Sequence, residues 1–117
     1  MRHHDRQKVL GREMNQRNAL LVSLARELIL NESIKTTEAK AKAVRPFVEK
    51  LITRGRLDTV SNRRLVARVF QNEQRVVRKL FEIIAPKYKD RKGGYTRIIK
   101  LGKQGADARA LARISFV

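Results

Sequence analysis

The chain has no cysteine and no tryptophan, two prolines, six glycines and eleven carboxylates among 117 residues. Without cysteine there is no disulfide, no thiolate metal site and no sulfur nucleophile. The composition suits a reducing compartment. No apolar run approaches the roughly 20 residues that cross a bilayer. The start, Met1-Arg2-His3-His4-Asp5-Arg6-Gln7-Lys8, has no hydrophobic stretch behind its charges, so no secretory signal is read. Asp5, Glu13 and the lack of serine before Ser23 also speak against a transit peptide. The chain therefore reads as cytoplasmic, with no membrane partner.

Groups that could do chemistry are equally scarce. The only two histidines, His3 and His4, are adjacent, and neighbours at i, i+1 point apart with no third ligand close by. The carboxylates are scattered. Glu49 beside Lys50 and Glu82 near Lys79 read as ordinary surface pairs. Neither a phosphate-binding GxxxxGK[ST] run nor a GxGxxG turn occurs. The expectation is a protein without catalytic residues, cofactor, metal or small-molecule substrate.

What the chain has is positive charge. Lys and Arg number 28, giving a net charge of +17, and a surface this cationic attracts polyanions. The excess is uneven. Residues 35–56 carry seven cations against two carboxylates, and residues 87–103 carry seven against one. Residues 18–34 are one charge negative, with Arg26 against Glu27 and Glu32, so the first helix is expected to be the most buried.

Apolar periodicity predicts one α+β domain at 15–117 behind an extended basic arm at 1–14. Leu20, Leu21, Leu24, Ala25, Leu28 and Ile29 form a helical stripe between Asn15 and Asn31. Ser33 to Thr37 is β-branched and short, so it is expected to be extended, with Thr36 or Thr37 capping a second helix. That helix carries Val44, Phe47, Val48, Leu51 and Ile52 in phase across Pro46, where a kink is expected, and ends at Arg54-Gly55-Arg56. Ser61 and Asn72 are read as caps of a third and fourth helix, the latter stopped by Pro86. Residues 95–101 and 108–117 read as strands around a turn at 102–107, the second with Arg109, Arg113 and Ser115 outward. The expected fold is four helices packed against a small two- or three-stranded sheet.

Three basic clusters stand out. The first, Lys87 to Arg97, combines Lys87, Lys89, Arg91, Lys92 and Arg97 with Gly93 and Gly94, whose missing Cβ lets backbone approach a phosphate. Tyr88 and Tyr95 offer ring faces for a base. For Tyr95 a core position is an equal alternative. The second is Lys35, Thr36 and Thr37 with Lys40, Lys42 and Arg45, at the amide-rich start of a helix. The third is the arm, with Arg2, Arg6, Lys8 and Arg12, followed by Arg17. All three suit phosphate better than base edges, which points to structured RNA. Arg63, Arg64 and Arg68 leave a DNA-binding helix-turn-helix open. A small basic ribonuclease is the other alternative, though it would need a general base.

Met1-Arg2-His3, Ile34-Lys35-Thr36-Thr37, Lys40-Ala41-Lys42, Val48-Glu49-Lys50-Leu51-Ile52-Thr53, Asn62-Arg63-Arg64, Lys79-Leu80-Phe81 and Gly93-Gly94-Tyr95-Thr96-Arg97-Ile98 occur in this order. Together they resemble the bacterial large-subunit ribosomal protein seventeen family over essentially the whole chain. The resemblance implies a non-enzymatic structural protein that binds large-subunit rRNA near the outer mouth of the peptide exit tunnel, beside neighbouring large-subunit proteins. It also implies an α+β body with an N-terminal extension laid into rRNA. By matching position it implies RNA contacts at Arg2, His3, Arg12, Arg17, Lys35, Thr36, Thr37, Lys40, Lys42, Gly93, Gly94, Tyr95 and Arg97. Gln16, Val22, Ser23 and Asn31 depart from the family's usual residues, and the C-terminus is more basic than usual.

Overall fold

In the computed structural model the backbone is described for residues 2–104 and 109–117, and side chains for 14–103 and 109–117. The elements run α1 (Arg2–Asn31), β1 (Ser33–Thr37), α2 (Glu38–Gly55), α3 (Val60–Val69), α4 (Gln74–Arg78), β2 (Thr96–Gln104) and β3 (Arg109–Phe116). After α4 the helix widens into a π-turn segment at Lys79–Ile84 and tightens into a 3-10 turn at Ala85–Tyr88. Four helices and a three-stranded sheet make the α+β architecture expected from the periodicity. The strands are antiparallel in the order β1-β3-β2, which places the C-terminal strand in the middle.

α2 is the central helix. Its buried stripe, Ala41, Val44, Val48, Leu51 and Ile52 with Gly55 at the end, lies under the sheet and against the 79–88 segment. The expectation that α1 is the most buried helix is not met. Among its described side chains, Ala25, Leu28 and Ile29 reach the core, while residues 14–20 are exposed.

The expected extended arm is helical: α1 starts at Arg2, so position 14/15 falls inside one helix. The physical reason is composition. Residues 2–14 contain no proline and are rich in Arg, Gln, Lys, Leu, Glu and Met, all good helix formers, and extending a nucleated helix is cheap. The side chains of Arg2, His3, Arg6, Lys8 and Arg12 lie outside the described residues.

Three local expectations also shift. Thr37 caps α2, its hydroxyl accepting from Lys40 N–H at 3.3 Å, as read. The cap of α3, however, is Thr59 rather than Ser61, accepting from Asn62 N–H at 3.1 Å. Asn72 does not cap α4. It turns the chain with Gln71 in left-handed backbone (φ 62° and 51°), leaving Glu73 at the cap position. Gly102 lies within β2, at a register shift between Lys100 and Gly102. The strand therefore runs on to Gln104, and the remainder of the expected turn, 105–107, lies outside the described residues. α2 runs through Pro46 as a single helix.

Candidate nucleic-acid interface

The sheet is two-faced. Ile34, Ala112, Ile114 and Thr96 are buried on the α2 side. The other face shows, row by row, Ser33–Ser115–Arg97, then Lys35–Arg113–Ile99, then Thr37–Leu111–Gly102. No residue of these three rows is acidic. β3 thus joins two clusters that are far apart in sequence, with Lys35 on one flank and Arg97 on the other. Arg109 and Arg113 are cations that the sequence reading placed outward but did not single out for binding. The signal was present in the alternation of 108–117; what was missing was the knowledge that β3 is the middle strand.

The 89–95 loop extends this surface. Lys89, Arg91, Lys92 and Arg97 are exposed. Gly94 sits at φ +66°, a conformation costly for a residue with a Cβ, and space around it is open. The loop is held from below. Both Glu49 carboxylate oxygens accept the Tyr95 N–H, at 2.9 and 3.1 Å. An Arg56 guanidinium N–H donates to the Lys89 carbonyl at 3.0 Å. Glu49, read as a surface partner of Lys50, is therefore the anchor of the loop. Lys50, Arg54 and Lys92 line a groove of 440 Å³ together with Glu49, Thr53, Gly93 and Tyr95.

Tyr95 resolves as core. It is 0% exposed and its ring lies 5.1 Å from that of Tyr88, also buried. Its hydroxyl donates to the Arg91 carbonyl at 3.2 Å and lies 3.1 Å from the Thr53 hydroxyl. Neither tyrosine ring is available to stack on a base, so the expected RNA contact of Tyr95 is corrected to a scaffolding role. Burial also pushes the Tyr88 phenol above its ordinary range, and its O–H donates to the Val117 carbonyl at 2.7 Å.

Other cations read for binding are partly committed to the fold. Lys87 and Lys79 both hold Glu32, at 3.2 and 3.0 Å, which ties the end of α1 to the 79–88 segment. Lys42 pairs with Glu38 at 2.9 Å, and Lys100 reaches the same carboxylate at 3.5 Å. That carboxylate sits in the first turn of α2, so the helix start is not an empty anion site. Arg45 donates to the Thr96 carbonyl at 3.3 Å. Lys40 and Arg17 are exposed, and Thr36 is half-buried. On α3, Arg63 is held by Asp58 (2.6 Å) and Glu82 (3.7 Å) and lies 5.2 Å over the Phe81 ring. It is structural, which removes one of the three arginines that kept a helix-turn-helix open.

An α+β chain of net charge +17, with cations on a sheet face whose three rows hold no acidic residue and on an adjoining clamped loop, has the surface of a polyanion-binding protein. The comparison with known proteins is specific. The family model described as Ribosomal protein L17 matches residues 20–117, and the chain belongs to that family. It is 48% identical over 115 residues to Large ribosomal subunit protein bL17 of Shouchella clausii, covering 92% of this chain and 96% of that one. To the bL17 of a Sulfurihydrogenibium species it is 48% identical over 118 residues, covering 100% and 97%. The bL17 of Salinibacter ruber is longer: identity is 50% over the whole of this chain, which spans 59% of that protein.

Proposed function

We propose that this chain is a structural constituent of the large ribosomal subunit that binds large-subunit rRNA by neutralising phosphates where RNA segments crowd together. Its membership of the Ribosomal protein L17 family carries the reading. The chemistry of the surface supports it: exposed Lys89, Arg91, Lys92 and Arg97 beside the open backbone of Gly93 and Gly94, with Lys35 and Lys40 at the other flank of the sheet. Residues 1–14, with Arg2, His3, Arg6, Lys8 and Arg12, are assigned to the same electrostatic interface, as a stretch that runs on through α1 into the body at 15–117. Neighbouring large-subunit proteins are the remaining partners, and the chain works ribosome-bound in the cytoplasm. No bond-breaking step is assigned to it.

Co-sedimentation of the tagged chain with large subunits through a high-salt sucrose gradient tests the assignment, and recovery in the particle-free fractions refutes it. Affinity for purified large-subunit rRNA is expected to fall steeply with salt. Arg91→Ala with Lys92→Ala should flatten that slope by about one to two. An unchanged slope would show that the loop does not touch phosphate. Cleavage of labelled RNA that disappears with Arg97→Ala would overturn the structural reading in favour of a nuclease.

A further inference from the structure

We propose that Glu49 is a positioning residue for RNA binding, which sets the 89–95 loop in its binding shape before any RNA arrives. The inference rests on the rRNA reading above and concerns what prepares that surface. The loop has little to hold it from within. It carries Lys89, Arg91 and Lys92 against Asp90, followed by Gly93 and Gly94. Like charges repel, and two successive glycines have the most backbone freedom to lose on ordering. An unrestrained loop of this kind would meet RNA as an ensemble, and ordering it at that moment would lower the affinity.

The restraint comes from α2. Glu49 and Thr53 on that helix and Arg56 just beyond it are spaced i, i+4 and i+7, so they share one face. All three reach the loop's main chain, directly or through the Tyr95 hydroxyl. Glu49 accepts the Tyr95 N–H at 2.9 and 3.1 Å, and Arg56 donates to the Lys89 carbonyl at 3.0 Å. The Thr53 hydroxyl lies 3.1 Å from that of Tyr95, which donates to the Arg91 carbonyl at 3.2 Å. The Tyr95 carbonyl in turn accepts from Val117 N–H at 2.9 Å. The loop is thus gripped at residues 89, 91 and 95 by main-chain groups, while Lys89, Arg91 and Lys92 stay exposed. The clamp fixes the backbone and leaves the cations outside. A carboxylate beneath a polyanion-binding loop is an electrostatic cost to binding. Its main-chain partner accounts for its place there, because a charged acceptor holds an N–H more strongly than a neutral one.

Charge and position predict opposite signs. If Glu49 acted only through its charge, removing it would tighten RNA binding; if it presets the loop, removing it weakens binding. The test uses the full chain and purified large-subunit rRNA across a salt series, below the melting temperature of each variant. Amide hydrogen exchange at Tyr95 is followed on the free protein. In the wild type that amide should be protected, and Glu49→Leu should speed its exchange about 10-fold. Glu49→Leu should also weaken binding about 10-fold at every salt concentration, with an unchanged salt slope, because the same phosphates are engaged once the loop is ordered. Glu49→Gln keeps an acceptor and should bind within about threefold of the wild type. Arg56→Lys keeps its charge but loses the guanidinium fork, so it should weaken binding at an unchanged slope, and it replaces Glu49→Leu if that variant does not fold. Wild-type or tighter binding by Glu49→Leu overturns the proposal and leaves the rRNA reading standing. A slope flattened by about one or more would mark a lost phosphate contact and overturn it too. Weaker binding with Tyr95 still protected, or an unprotected Tyr95 amide in the wild type, has the same consequence. Wild-type protein that does not bind rRNA overturns both readings.

Discussion

Glu32 turns the chain from α1 into β1 in left-handed backbone, φ 65°, with its N–H bonded to the Leu28 carbonyl at 2.6 Å. A non-glycine residue in this conformation is strained, and it closes the helix in the manner of a left-handed cap. Two ammonium groups hold it there. Hydrogen bonds from Lys79 and then Lys87 keep its carboxyl below the ordinary value of 4.5. Because the folded value is depressed, this contribution is complete above about pH 4.5 and fades as pH falls through the folded value. Glu73 with Arg26, Glu38 with Lys42 and Asp58 with Arg63 are shifted the same way. The melting temperature of the free protein should therefore decline as pH drops below about 4.5. Glu32→Gln should melt lower at neutral pH and show a shallower acid decline; an identical acid limb would remove Glu32 from the list of contributors. Tyr95 yields a second prediction at this scale. Tyr95→Phe keeps the ring packed and should cost about 1 kcal/mol through its hydroxyl bonds, whereas Tyr95→Ala should cost about 3–5 kcal/mol. Urea denaturation distinguishes the two, and a neutral Tyr95→Ala would contradict the core assignment.

Among the elements, the helix ends are where residue chemistry decides geometry. Thr59 accepts from Asn62 N–H, and the Asn62 side chain in turn donates to the Leu57 carbonyl at 2.8 Å, closing the loop between α2 and α3. Thr59→Ala should cost about 1 kcal/mol, while Ser61→Ala should fall within about 0.5 kcal/mol of the wild type. The reverse order in chemical denaturation would return the cap to Ser61. Pro86 shapes the other helix end. It has no N–H to continue the ladder, and the preceding segment widens so that Ala85 N–H donates to the Leu80 carbonyl. This segment lies close against α2 because Gly55 has no side chain there. A Cβ at Gly55 would stand 3.1 Å from the Ala85 Cβ. Gly55→Val should destabilise by about 1–3 kcal/mol through overpacking, and a wild-type melting curve would show that the contact is loose.

At the scale of the whole molecule, a net charge of +17 works in two opposite directions. It drives association with RNA through counterion release, and it repels itself in the free protein. Added salt should therefore raise the melting temperature of the free chain over the range in which it weakens rRNA binding. Around 0.15 M the screening length is about 8 Å, comparable to the spacing of cations on the sheet face. A melting temperature that falls with moderate salt would mean that ion pairs such as Arg26–Glu73, at 2.6 Å, outweigh the repulsion.

The sequence alone determined much of this protein. Charge and the absence of cysteine set the class of partner, hydrophobic period set most helices and strands, and the ordered motifs identified the family. These are local or compositional properties, legible because a helix stripe, a Thr cap at position 37 or a count of cations does not depend on what lies across the fold. Tertiary structure alone decided which cations the fold itself engages. Lys87 is bound to Glu32 and Arg63 to Asp58, partners set by packing in the first case and by a loop turn in the second. It also decided that the Tyr95 ring is inside, that Glu49 anchors a loop 46 residues away, and that β3 brings Arg113 between Lys35 and Ile99. Strand order is a non-local choice, made by the burial of Ile34, Ala112 and Ile114 together over α2, and no window along the chain contains it.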